Sequence, residues 1–227
     1  MTGRRPAIGR PEAVRSLIER LEERYGRPEW APRYDPTEEL VCCILTQHTT
    51  DATAFPAFDK LRETYPTWQA VVDGGPESLA KVIQRVGLAN QKSRSIVGCL
   101  KEIHARTGGY DLELLRPMPM LEARDWLMSL PGVGPKTASI VLSFAFGREA
   151  IPVDTHIFRV CKRLCLIDAK EDEKKAHDSL LNTVPEDLAY RFHVALIQHG
   201  RRVCRAPKPK CSECWITDVC CWYKANA

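Results

Sequence analysis

Apolar residues recur at helical spacing along nearly the whole chain. Val14, Leu17, Ile18, Leu21 and Tyr25 share one helix face, with Pro11 near its start and Gly26 just past its end. Leu79, Val82, Ile83 and Val86 repeat the pattern as far as Gly87, and Ile96, Val97, Leu100 and Ile103 carry it to Gly108 and Gly109. The same spacing predicts helices over 38–46, 121–129, 136–146, 156–165, 173–182 and 187–198. No segment alternates apolar and polar residues with a period of two, so the expected fold class is all-α. Neither internal repeats nor low-complexity linkers interrupt the pattern, and composition alone marks no boundary between lobes.

At 227 residues the chain is long enough for one large domain or two small lobes. It has no apolar run of about 18 residues, so no membrane span is expected. The N-terminal stretch MTGRRPAIGRPEA is basic but lacks an apolar core, which argues against export and for a cytoplasmic protein. The net charge of +4 favours a polyanionic partner only slightly, so the placement of charge matters more than its sum. Ten cysteines in a reducing compartment point to metal ligation or free thiols rather than disulfides. Cys42, Cys43, Cys99, Cys161 and Cys165 sit among apolar residues and read as small buried hydrophobes. The other five crowd the end of the chain.

Cys204, Cys211, Cys214 and Cys220 are spaced C-x6-C-x2-C-x5-C within 17 residues. Soft thiolates in a set of four suit zinc or an iron–sulfur cluster. Zinc ribbons bring two tight pairs from separated turns, whereas this segment has one tight pair flanked by single cysteines on wider loops. That wrapping suits a cubane better than a single ion, with zinc and free thiols as alternatives, and with Cys221 a further possible ligand. The loop within the segment, RRVCRAPKPK, contains Arg201, Arg202, Arg205, Lys208 and Lys210 and no acidic residue. A basic run of this kind is most often solvated surface. Pinned at both ends by ligation, however, it would hold its charges in place for a phosphate backbone at a lower ordering cost.

Two helical patterns flank Leu130-Pro131-Gly132-Val133-Gly134, whose glycines allow positive φ and a close backbone approach. Successive amides feeding a helix N-terminus make an anion site suited to a DNA phosphate, and the apolar clamp of Leu130 and Val133 favours a hairpin over a plain connector. Pro135 suits the first helical position, which puts Lys136 in the first turn. There the helix dipole disfavours its positive charge, and partial burial would add to the effect, as a Schiff-base lysine requires. Ile151-Pro152-Val153-Asp154 approaches the next helix in extended form. Asp154 is therefore a natural N-cap, and a fixed, ionised carboxylate is also what an oxocarbenium-like transition state needs.

With these features together, the chain resembles the endonuclease III family of helix–hairpin–helix DNA glycosylases from about residue 38 to the end. LPGVGPKTASIVLSFAFG resembles the family hairpin, with Lys136 at the nucleophile. IPVDTHIFRVCKR resembles the family loop and helix, with Asp154 at the catalytic aspartate. QHGRRVCRAPKPKCSECWITDVC resembles the cluster segment, which implies Cys204, Cys211, Cys214 and Cys220 as [4Fe–4S] ligands and leaves Cys221 spare. The resemblance implies two helical lobes. A six-helix lobe would cover 38–148 with the hairpin at 121–146, and residues 1–37 with 149–227 would form the cluster lobe around loop 204–220, with the active site in a cleft between the two.

The implied activity is base release followed by β-elimination at the abasic site, on double-stranded DNA with damaged bases, oxidised pyrimidines foremost, by a monomer that in a prokaryote would be associated with the nucleoid. DNA contacts are expected from Gly132, Val133, Gly134, Gln47, His48, Leu88, Arg205, Lys208 and Lys210. In Val86-Gly87-Leu88-Ala89-Asn90, Leu88 stands at the tip of a segment resembling the family's wedge into the base stack. Two departures stand out. Pro135 replaces the basic residue usual before the lysine, and His48, with Gln47 beside it, takes the place of a glutamine that plugs the duplex gap. The competing readings are a glycosylase of the same fold for mismatched or alkylated bases, whose relatives commonly lack the hairpin lysine, and a non-catalytic iron–sulfur protein that binds nucleic acid.

Overall fold

The computed structural model describes residues 11–226, so the reading of residues 1–10 as a basic stretch without an export signal lies outside the described residues. Helix α1 (Pro11–Tyr25) begins at Pro11, where a missing N–H costs nothing. It buries Val14, Leu17, Ile18 and Leu21, the stripe its periodicity predicts. Residues from Pro32 to Phe146 then form one compact unit, and α1 belongs with Gly147 onward in the other. The described residues are all-α, as expected, and no helix among them is long and apolar enough to cross a membrane.

The unit Pro32–Phe146 contains α2 (Pro36–Thr46), α3 (Asp51–Thr64), α4 (Trp68–Val82), α5 (Ala89–Thr107), α6 (Met120–Met128) and α7 (Pro135–Ile140), which runs on as a π-helical turn over Val141–Ala145. Asp35 caps α2 by accepting from the amides of Thr37 and Glu38, both at 2.9 Å. Leu40, Ile44, Leu61, Leu79, Ile83, Ile96, Leu100 and Ile103 fill its core with no exposed surface. Each contributes about 1.5–3 kcal/mol of burial free energy.

Two sequence readings are corrected in this unit. Helix α3 was not predicted, because three small or single-faced positions (Ala54, Ala57, Phe58) and Leu61 bury its face and Pro56 stands inside it. The helix read over 79–86 ends at Val82; it is the last part of α4, which kinks at Gly75 (φ 73°). Ile83 and Val86 remain fully buried although they lie in the following turn, so burial kept the apolar pattern without the helix.

The other unit adds α8 (Thr155–Arg163), α9 (Glu173–Thr183), α10 (Ala189–Arg202) and α11 (Cys221–Asn226) to α1. Its core is one apolar cluster joining Val14, Ile18 and Leu21 of α1 to Ile157 and Val160 of α8, Leu180 of α9 and Phe192 and Leu196 of α10. α1 also reaches the C-terminal segment: Trp215 Nε1 donates to Arg20 O at 3.0 Å, and Arg20 pairs with Asp218 at 2.7 Å. Arg24 stacks over the Trp215 ring at 4.6 Å. α1 and the C-terminal segment are thereby tied within one unit.

Candidate active site and cysteine cavity

The hairpin forms as its residues require. Leu130 and Val133 are buried, and Val133 N donates to Leu130 O at 3.2 Å. Gly132 has φ +77°, and a Cβ on it would come within 2.6 Å of Ser95 Oγ, so both its conformation and its packing demand glycine. Gly134 is the N-cap of α7 and Pro135 its first residue. Gly134 brings no capping side chain, so the first amides of α7 have no side-chain acceptor. Lys136 lies in that first turn, and its side chain is exposed. Proline ahead of it and the outward face of a short helix leave nothing to cover it.

Asp154 is the N-cap of α8 and half-buried. Its Oδ1 accepts from the amides of His156 (2.9 Å) and Ile157 (2.7 Å), as its position predicted. The approach to it is held by two buried histidines that sequence reasoning missed. His177 Nδ1 donates to Ile151 O at 3.2 Å and His193 Nδ1 to Pro152 O at 3.0 Å. A carbonyl can only accept, which sets both rings with the proton on Nδ1. Lys136 belongs to the unit Pro32–Phe146 and Asp154 to the other.

Cys204, Cys211, Cys214 and Cys220 all line one small pocket, together with Val160, Ile216, Trp222 and Tyr223. Among the described residues, no group of three or more His, Cys, Asp or Glu side chains is set to hold a single metal ion. Arg163 Nη1 donates to Cys204 Sγ at 3.2 Å, Tyr223 N to Cys220 Sγ at 3.5 Å, and His199 Nε2 lies 3.8 Å from Cys214 Sγ. Such donors suit an anionic sulfur-rich group. Burial pushes the Cys214 and Cys220 thiols up, so ligation there would release protons. Cys221 does not line the cavity and donates to Leu164 O at 3.6 Å. Cys165, expected to be buried, is only half-buried, with φ 57° and a hydrogen bond to Cys221.

Arg163 and Arg159, which the sequence did not single out, shape the basic loop. Arg163 donates to Arg205 O (2.8 Å) and Ala206 O (3.0 Å), and Arg159 Nε donates to Cys204 O (2.9 Å). Arg205 and Lys208 are exposed on this fixed backbone. Lys210, expected to be a free phosphate contact, pairs with Glu213 at 3.0 Å, because the first acidic residue after the loop lies one helical turn away.

Residues 41–186 match the model of the HhH-GPD superfamily of base excision DNA repair proteins. The chain is 37% identical to endonuclease III of Haemophilus influenzae and 35% identical to that of Escherichia coli, in each case over 90% of this chain and 92% of the relative. A solved structure of a trapped endonuclease III–DNA covalent intermediate superposes with a TM-score of 0.79 at 29% identity, covering 95% of this chain and 98% of that one. This chain belongs to the HhH-GPD superfamily. It is an endonuclease III-type DNA glycosylase and abasic-site lyase.

In this glycosylase the two loops flagged beside the hairpin both carry strained backbone. His48 (φ 52°) and Leu88 (φ 62°) are left-handed without being glycine, at a cost of about 1–2 kcal/mol each. Strain of this kind persists where the surroundings impose it and clusters at functional positions. Leu88 is 55% exposed, one of few large apolar side chains so presented. Gln47 points back to the hairpin, its Nε2 donating to Gly132 O at 3.1 Å and to Thr137 Oγ1 at 3.2 Å, and His48 is left exposed.

Proposed function

We propose that this protein releases damaged bases, chiefly oxidised pyrimidines, from double-stranded DNA and then cuts the strand, with Lys136 as nucleophile and Asp154 as its carboxylate. The observation that carries this reading is an exposed lysine in the first turn of the helix that leaves a tight glycine hairpin. The nitrogen lone pair of the Lys136 amine attacks C1′ of an extruded nucleotide. The glycosidic bond breaks, and its electron pair leaves with the base, which takes up a proton. The Asp154 carboxylate, held in place by two backbone amides, stabilises the positive charge developing on that sugar. The adduct nitrogen then loses a proton and its lone pair opens the C1′–O4′ bond, O4′ taking up a proton. The protonated Schiff base so formed acidifies the C2′ proton, whose loss expels the 3′ phosphate by β-elimination.

The four thiols line one pocket, with N–H donors on Cys204 and Cys220, and this supports a [4Fe–4S] cluster held by them. Such a cluster, when bound, cross-links the C-terminal segment. Cys204, Cys211, Cys214 and Cys220 would hold it, and the clamped loop would present Arg205 and Lys208 to a phosphate backbone, with the protein acting as a monomer. Borohydride trapping on an abasic duplex tests the lyase assignment: a covalent complex that requires Lys136 supports it, and none with wild-type protein overturns it.

A second substrate reading rests on His48. With Gln47 engaged by the hairpin, the exposed histidine is the side chain left to meet the opposite base, and it could favour uracil or thymine opposite guanine. Thymine glycol and uracil placed opposite adenine or guanine in identical duplexes separate the two. Faster release of uracil opposite guanine would overturn the preference for oxidised pyrimidines.

A further inference from the structure

The first half of α5 carries a run of contacts at spacings of four, three and four residues: Leu88 at its N-cap, then Lys92, Ser95 and Cys99. Lys92, Ser95 and Cys99, so spaced within the helix, share one face, and Leu88 precedes it in a left-handed conformation. The Leu88 side chain is exposed. One turn on, Lys92 is 3% exposed, and its Nζ donates to Leu45 O at 2.8 Å and Thr49 Oγ1 at 3.0 Å. It thus grips both ends of the segment carrying Gln47 and His48, while its own N–H donates to Leu88 O at 2.9 Å. A further turn on, Ser95 seats Gly132, and Cys99 Sγ donates to Pro131 O at 3.1 Å. Gln47 closes the circuit by its hydrogen bonds to Gly132 and Thr137.

Burying an ammonium is costly unless it is well partnered, and the two acceptors of Lys92 are a carbonyl and a hydroxyl, neither charged. Burial accordingly pushes its pKa below the usual lysine range. An apolar residue would fill the same space at lower cost, so the ammonium is retained for what it holds. What it holds is two left-handed loops at one separation. Neither His48 nor Leu88 would keep a strained backbone without such bracing.

We infer that Lys92 is a positioning residue for base extrusion: it sets the spacing between the Leu88 wedge and the His48 loop, and α5 registers both against the hairpin. The inference rests on the glycosylase reading above. Lys92 touches no reacting atom in this scheme, because its amine is buried and engaged by Leu45 and Thr49. Its effect should therefore appear where a base must leave the stack and vanish where none remains.

The test measures single-turnover base release from a thymine glycol duplex beside borohydride trapping on a duplex with a pre-formed abasic site. Lys92→Met, of similar length but without donors, should slow base release about tenfold or more and change trapping by less than about threefold. Lys92→Arg, which keeps a donor, should recover part of the loss. In a background already carrying Leu88→Ala and His48→Ala, Lys92→Met should cost no more than about threefold further, since coupled residues are not additive. Equal slowing on both substrates, or an undiminished cost in the double-alanine background, would overturn the inference and mark Lys92 as general scaffold. Should Lys92→Met fail to fold, Thr49→Val removes one acceptor and leaves the ammonium; it should reproduce the split between substrates to a lesser degree, and unchanged base release by it would equally count against the idea. A wild-type protein that releases no base at all would instead remove the glycosylase reading.

Discussion

Lys136 and Asp154 each sit at the start of a helix, but they use that position in opposite ways. The Asp154 carboxylate caps α8 by accepting two of its amides, whereas Lys136 stands in the first turn of α7 with its side chain exposed. Lys136→Gln should abolish borohydride trapping and leave duplex binding nearly intact, because the hairpin amides remain. Trapping at the wild-type rate would mean that another amine is the nucleophile. For Asp154 the choice of replacement separates capping from catalysis. Asparagine caps a helix about as well as aspartate, so Asp154→Asn should slow base release severely with little change in thermal midpoint. Asp154→Ala should lose the same activity and about 1 kcal/mol of stability as well. A loss of activity that tracked stability in both variants would assign Asp154 to capping alone.

At the scale of elements, two loops carry features that stability alone does not explain. Leu88 is apolar, exposed and left-handed at once. Leu88→Gly would relieve about 1–2 kcal/mol of backbone strain and give back part of it as chain entropy, so stability should hold or rise slightly while base release slows. A clear fall in thermal midpoint would show that the side chain packs rather than projects. The basic loop is clamped through its carbonyls by Arg163, which leaves Arg205 and Lys208 projecting and Lys210 paired with Glu213. Neutralising Arg205 and Lys208 together should flatten the salt dependence of duplex affinity by about 0.9 for each phosphate that the loop no longer neutralises. Lys210→Gln should change the slope less than either. An unchanged slope in the double variant would reduce the loop to solvated surface.

Across the whole molecule, the segments that meet are far apart in the chain. α1 is held through Arg20 to Trp215 and Asp218, in the same segment that carries Cys214 and Cys220. Purified protein should be brown and carry about four irons and four sulfides per chain. Stoichiometric zinc without visible absorption would overturn the cluster. Cys211→Ser should lose the colour and much of the helicity of α8, α10 and α11, whereas Cys221→Ser should keep both, because its sulfur lies outside the cavity.

Much of this architecture is written locally. The apolar stripes of α1, α5, α8 and α10, the capping place of Asp154, the glycine hairpin and the cysteine spacing follow from 3.6-residue periodicity and backbone chemistry within a few neighbouring residues. They also placed Lys136 in its turn and suggested a cluster. Helix α3 escaped because alanines give little contrast and Pro56 interrupts it. What tertiary structure decided was the satisfaction of polar groups over long separations. Lys92 finds Leu45 and Thr49, Arg163 finds Arg205 and Ala206, His193 finds Pro152, and Gln47 finds the hairpin. No periodicity reports such partners, because a buried donor takes whichever acceptor the packed chain brings near it. For the same reason the exposure of Lys136 and the pairing of Lys210 came only from the folded molecule.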